Sequence, residues 1–147
     1  MEIRNPKTPS LLVGYVYRNQ AATYEWYDEF VTILDKVLKV KIKSFHLGDF
    51  NIDLLKPHLA WESTFSILGL NQLFTQPTRV TCSTNTLIDH IYTNNPNLVH
   101  SISVPNIVIS DHFPVLLYMV HDVHPKVTQL YSIEHLNDST NMFFFLI

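Results

Sequence analysis

A single cysteine, Cys82, among 147 residues excludes an internal disulfide, and the count suits a reducing compartment. Charge is also scarce. Asp, Glu, Lys and Arg make up 16% of the chain against 46% hydrophobic and 12% aromatic residues, which excludes a disordered polar polypeptide. Positive charge is not in excess, because 10 Lys and Arg face 13 Asp and Glu for a net charge of −3. No global basic field advertises nucleic acid, so any such contact must be local. Long apolar runs are missing too. Nothing reaches the roughly 18 residues that a membrane span needs, and the Phe143–Ile147 stretch is far shorter. Between Met1 and Gln20, Arg4, Pro6 and Lys7 precede a short apolar run broken by Gly14, which is not a signal-peptide pattern. Internal repeats and low-complexity segments are absent as well.

What is present reads as one layered domain. Leu11–Tyr17 is β-rich and stops at Arg18-Asn19-Gln20. From Thr23 to Leu38, Tyr27, Phe30, Val31, Leu34, Val37 and Leu38 recur at helical spacing, with Thr23 placed to cap the helix and Glu25, Asp28 and Glu29 suited to its positive end. Val40–Leu47 alternates as a strand and ends at Gly48, and His58–Leu68 reads as a second helix stopped by Gly69. Shorter β segments are expected at Leu73–Thr75, Thr86–Tyr92, Ile102–Val104 and Phe113–Val120, the last apolar enough for a strand covered on both sides. Interleaved strands and helices predict an α/β class. The expected domain is residues 1–120, followed by an irregular tail over 121–147.

The chemistry-bearing residues gather where strands end. Gly48-Asp49-Phe50-Asn51 lets Asp49 and Asn51 project together from a sheet rim. Asp89 stands in the apolar Leu87-Ile88-Asp89-His90-Ile91 run, where a carboxylate without a partner is costly. Ser110-Asp111-His112 sets an acid beside an imidazole at the entrance of another strand, which makes His112 the natural donor for Asp89. Hard oxygen ligands, an amide and a carboxylate-supported imidazole are the parts for metal-assisted hydrolysis of a phosphate ester. Each also has a plainer reading. Gly-Asp-x-Asn is an ordinary turn signal, and a buried Asp89 can be satisfied by backbone amides. Lys36, Lys39, Lys41 and Lys43 read as a solvated helix end and strand face rather than a DNA track. His121, His124, His112 and Cys82 lack the second close ligand pair that a zinc site needs.

These three segments, in this order, resemble motifs of the endonuclease/exonuclease/phosphatase superfamily. With Gln76-Pro77-Thr78-Arg79 and the Tyr17-Arg18 strand end, the chain from Leu11 to Val120 looks most like the endonuclease domain of LINE-type, non-LTR retrotransposon polyproteins. The resemblance implies Asp49 as the residue that orients or deprotonates the attacking water and Asn51 as a holder of the scissile phosphate. It implies Asp89 as partner of a phosphate-stabilising His112, Asp111 as a metal-proximal acid and Tyr17 as a phosphate contact. Asn19 and Gln20 stand where the family usually has prolines. It further implies Mg²⁺ (with Mn²⁺ as a substitute) and a DNA substrate; localisation is not fixed by the sequence, an intracellular setting and the nucleus being compatible with it.

The family's fold is a two-sheet β-sandwich flanked by helices and built from two halves. The earlier half's asparagine and metal-ligating glutamate cannot be placed here, since Glu2 lacks their context. The resemblance therefore implies the second half of an α/β enzyme, with the N-terminal half missing. A missing half, or a reverse transcriptase segment of a parent polyprotein, would then be a partner. From another class comes the alternative of a catalytically inactive retrotransposon-derived fragment that acts at most as a binding module. A phosphatase-like activity on other phosphoesters is a third reading.

Overall fold

The computed structural model describes residues 11–107 and 110–120, together with the backbone of 129–133 and 142–146. Strand β1 (Leu11–Tyr17) leads through helix α1 (Tyr24–Leu38) to strand β2 (Lys43–Asp49), and β1 and β2 pair in parallel. Helix α2 (Leu59–Ile67) follows, then the short strands β3 (Asn71–Gln72), β4 (Arg79–Val80) and β5 (Asn85–Thr86). Next come β6 (Asp89–Thr93), β7 (Val99–Ser103), β8 (Leu116–Met119), β9 (Gln129–Ile133) and β10 (Met142–Leu146). A six-stranded sheet runs β3-β6-β2-β1-β10-β9, while β4-β5 and β7-β8 are separate two-stranded sheets. This is a mixed α/β architecture, as expected.

The sheet separates two apolar clusters because its register sets alternate residues on opposite faces. On one face Val16, Tyr92 and their neighbours meet α1 and α2 through Trp26, Phe30, Leu34, Trp61 and Phe65. On the other, Phe45 and Ile91 join Phe74 and Leu87, and Ile102, Leu117 and Met119 of the β7-β8 sheet pack against them. Trp26, Phe30 and Leu34 are the fully buried stripe of α1, and Gly69, at φ +70, ends α2 in the left-handed conformation that stops a helix. Thr23 takes the N-cap position with an extended backbone but makes no side-chain cap hydrogen bond.

Several expected strands shift, each for a tertiary reason. β2 starts at Lys43 rather than Val40: Lys41 turns at φ +57 and Val40 is exposed. The expected Leu73–Thr75 strand is replaced by Asn71–Gln72, which pairs with β6. Thr86–Tyr92 is interrupted at Leu87 and Ile88, whose amides donate to the side chains of Asp53 and Thr78 instead of to a ladder. Phe113–Val120 is not covered on both sides: among the described residues β8 pairs only with β7, and Leu116, Tyr118 and Val120 are exposed. Two segments of the stretch read as irregular, Gln129–Ile133 and Met142–Leu146, are strands, and β10 pairs antiparallel with β1. The unbroken apolar Met142-Phe143-Phe144-Phe145-Leu146 run has the composition of a strand, and β1 supplies the edge that makes it one. His121 and His124 lie outside the described residues. Among the described residues no helix is long and apolar enough to cross a membrane.

Candidate active site

The ends of β2 and β6 fall side by side, with Asp49 opposite Asp89 and Tyr17 of β1 opposite Asp49. All three therefore belong to one sheet face, at one rim. A glycine must precede Asp49 for steric reasons. Gly48 sits at φ +144, and a Cβ there would lie 1.8 Å from the carbonyl oxygen of Val16. Phe50 then turns into the core, fully buried and stacked on the His90 ring at 4.9 Å, so the loop is anchored between its two polar residues.

Asn51 adopts φ +50, a conformation that asparagine tolerates better than most residues. Its amide N–H donates to Asp49 Oδ1 at 2.9 Å, and its Nδ2 donates to the Arg18 carbonyl at 2.7 Å. Gln20 Nε2 donates to Asn51 Oδ1 at 3.2 Å. The Gly-Asp-x-Asn pattern thus encodes a specific loop that fixes both side chains against the end of β1.

His112 arrives from the segment before β8, and its Nδ1–H donates to Asp89 Oδ2 at 2.9 Å. Because an ionised carboxylate only accepts, this bond assigns the proton to Nδ1 and leaves Nε2 as the other reactive nitrogen. Ligand atoms of Asp49, Asp89 and His112 all lie within 4.8 Å of one another. Burial pushes the Asp49 carboxyl above its usual range; the Asn51 amide opposes that shift, and the charge of Asp89 adds to it. Two carboxylates this close, one desolvated, suit a hard divalent cation that takes oxygen ligands and keeps several waters. The donor set therefore fits Mg²⁺ or Mn²⁺.

Of the expected residues, Asp49, Asn51, Asp89 and His112 converge. Asp111 is turned elsewhere: its Oδ2 accepts from Arg79 Nε at 2.7 Å, and this bond holds its carboxyl below the usual range. It is not one of the three clustered ligands. Tyr17 is at the rim and 39% exposed, so its hydroxyl is reachable from solvent.

The sequence reading gave no role to Tyr15, nor to Thr78 and His90 within the motifs it quoted. Tyr15 lies two residues before Tyr17 on the same face, and its phenol is pushed up by burial first and by the charges of Asp49 and Asp89 next. Strand alternation from Tyr17 was the available signal. His90 donates from Nε2 to the Ile52 carbonyl at 2.9 Å, and Tyr92, which accepts from Trp61 Nε1 at 2.7 Å, reaches its Nδ1 at 3.4 Å. Nothing local in the sequence signals that chain of bonds.

No family model and no curated protein sequence matches this chain. Solved structures do match its fold. The endonuclease domain of TRAS1, a telomere-specific non-LTR retrotransposon, superposes with a TM-score of 0.54 and 17% identity over 89% of this chain and 52% of its own. An endonuclease/exonuclease/phosphatase family protein from Bacteroides thetaiotaomicron does so with a TM-score of 0.54 and 14% identity, over 90% of this chain and 48% of its own. The fold is thus of the endonuclease/exonuclease/phosphatase type. The chain spans about half the length of each of these structures.

Proposed function

We propose that this chain carries the second half of a metal-dependent phosphodiester hydrolase, a DNA-nicking endonuclease of the retrotransposon type. The observation that carries the reading is the Asp89–His112 hydrogen bond, with Asp49 beside it at the sheet rim. Asp89 orients the imidazole through Nδ1, so that Nε2, when it carries a proton, can donate to a phosphate oxygen as charge accumulates there. Asp49 orients or deprotonates the attacking water. Asn51 holds the scissile phosphate without adding repulsion, and Tyr17 contacts it from β1. Asp49 and Asp89 would hold Mg²⁺ or Mn²⁺, which supplies charge neutralisation at the phosphate when bound. Asp111 would join that ligand set only on release from Arg79.

The resemblance places a further metal-ligating glutamate in an N-terminal half, and the half-length match to both solved structures supports a site that needs such a half for full activity. The substrate groove is then incomplete in this chain alone, and a net charge of −3 offers no compensating affinity for a polyanion. Relaxation of supercoiled plasmid with Mg²⁺ or Mn²⁺ tests the proposal. This chain should nick weakly or not at all, and a fusion that adds an N-terminal half should nick by orders of magnitude faster. Asp49→Ala and His112→Ala should each lower the fusion's rate at least about 100-fold. Inactivity of both proteins would favour the inactive-fragment reading instead, which the same half-length match motivates. Strong nicking by this chain alone would overturn the need for a second half.

A further inference from the structure

Thr78 is fully buried, although it is polar and lies in a connecting segment. It hydrogen-bonds to the chain on both sides of the Asp89–His112 pair. Its Oγ1 accepts from the amides of Ile88 at 3.3 Å and Asp89 at 3.0 Å. Its amide donates to the Thr86 carbonyl at 2.9 Å, and its carbonyl accepts from Phe113 N–H at 2.7 Å. One residue therefore binds the backbone on both sides of Leu87, the amide of Asp89 itself, and the residue after His112. The flanking contacts repeat the pattern: Arg79 bridges to His112, and Val80 N–H donates to the Asp111 carbonyl at 3.0 Å.

We infer that Thr78 is the positioning residue that sets the Asp89–His112 hydrogen bond, acting through the Asp89 and Phe113 amides and touching neither substrate nor metal. The inference rests on the hydrolase reading for its kinetic consequence, but its structural consequence stands apart from it. Asp89 comes from β6 and His112 from a segment 23 residues later, and among the described residues no ladder joins the two. Their relative position is held by whatever lies between them, and the Thr78 side chain and backbone lie there. Without the hydroxyl, the Asp89 amide loses its acceptor in a buried place, which shifts the start of β6 to find another. A displacement of about 1 Å in a reacting group costs on the order of 100-fold in rate.

Thr78→Val keeps the shape and removes the acceptor, while Thr78→Ser keeps the acceptor. Nuclear magnetic resonance of the whole chain reads the Asp89 amide shift and the exchange protection of the His112 Nδ1 proton. Wild type and Thr78→Ser should agree, and Thr78→Val should lose about tenfold or more of that protection. In the nicking-competent fusion the turnover rate should fall about 10- to 100-fold in Thr78→Val with KM little changed, and recover in Thr78→Ser. If Thr78→Val does not fold, Thr78→Cys, a weak acceptor of similar size, is read the same way. A folded Val or Cys variant whose Asp89 amide and His112 Nδ1 proton match wild type overturns the inference, since a merely structural role would lower stability and leave those signals in place. Where wild type itself does not nick, the resonance measurement decides alone.

Discussion

At the scale of single residues, the site concentrates charge that the fold would be more stable without. Asp49 is half-buried within reach of Asp89, and its carboxyl titrates above the ordinary range because desolvation outweighs the Asn51 amide that supports it. A carboxyl that binds its proton more tightly when folded loses folding stability as pH rises through that pKa, so ionised Asp49 weakens the fold at neutral pH. Asp49→Asn keeps an oxygen for the Asn51 N–H and removes the charge. The expected outcome is a higher urea midpoint of this chain at pH 7, together with loss of nicking by the fusion. A lower midpoint would mean that Asp49 is structurally supported, contrary to its role as a base. Arg79 and Asp111, in contrast, are a rim pair whose side chains are 37% and 47% exposed, and such pairs contribute little to stability.

Secondary-structure elements deliver these residues through two kinds of local device. One is backbone geometry: the left-handed turn at Asn51 and the close approach at Gly48 make the end of β2 a fixed platform. Adding a methyl group at residue 48 would drive it into the Val16 carbonyl, 1.8 Å away, and no rotation of a side chain can relieve a clash with backbone. Gly48→Ala should therefore separate β1 from β2 and cost about 3 kcal/mol or more, read as a shift of the denaturation midpoint. Wild-type stability in that variant would contradict the parallel register Val16↔Gly48. The other device is side-chain satisfaction of interrupted strands. Asp53 Oδ1 takes the Leu87 amide at 3.0 Å, and Thr78 takes the next two, so the chain bends into β6 without leaving buried N–H groups unpaired.

For the molecule as a whole, acid should be the weak point. His46 is 1% exposed and His90 is 1% exposed, and burial lowers both imidazoles to about 4 from an ordinary 6.5. His90 is already engaged as a neutral ring, with Nε2–H on the Ile52 carbonyl. Between pH 6.5 and 4 the unfolded chain takes up protons at these rings and the folded chain does not, so stability falls as pH falls through that window. From pH 6.5 to 5 the loss should be roughly 2 kcal/mol per histidine, a large share of a typical domain's stability. Urea titrations at pH 7.5 and 5 check this, and equal midpoints would contradict the neutral burial of both rings. The same fall should appear in an Asp49→Asn background, because it does not originate at the rim.

The sequence by itself determined the first strand, the two helices and the loop that follows β2. Helical spacing in Tyr24–Leu38, the β-rich Leu11–Tyr17 segment and the stop at Gly69 are properties of neighbours along the chain, and they appear where local patterning puts them. The same holds for the turn at Gly48-Asp49-Phe50-Asn51, whose residue types permit few other backbones. Tertiary structure decided what depended on a distant partner. It set the break at Leu87 and Ile88 before β6, the pairing of β8 with β7, and the place of the apolar run Met142–Leu146 beside β1. It also turned Asp111, which the resemblance placed near a metal, to Arg79, while Asp89 lies against His112. Each of those outcomes depends on a hydrogen bond or a strand pairing between residues far apart in the chain. Periodicity and propensity carry no record of such partners, because they register only which side of an element a residue occupies and not what waits there.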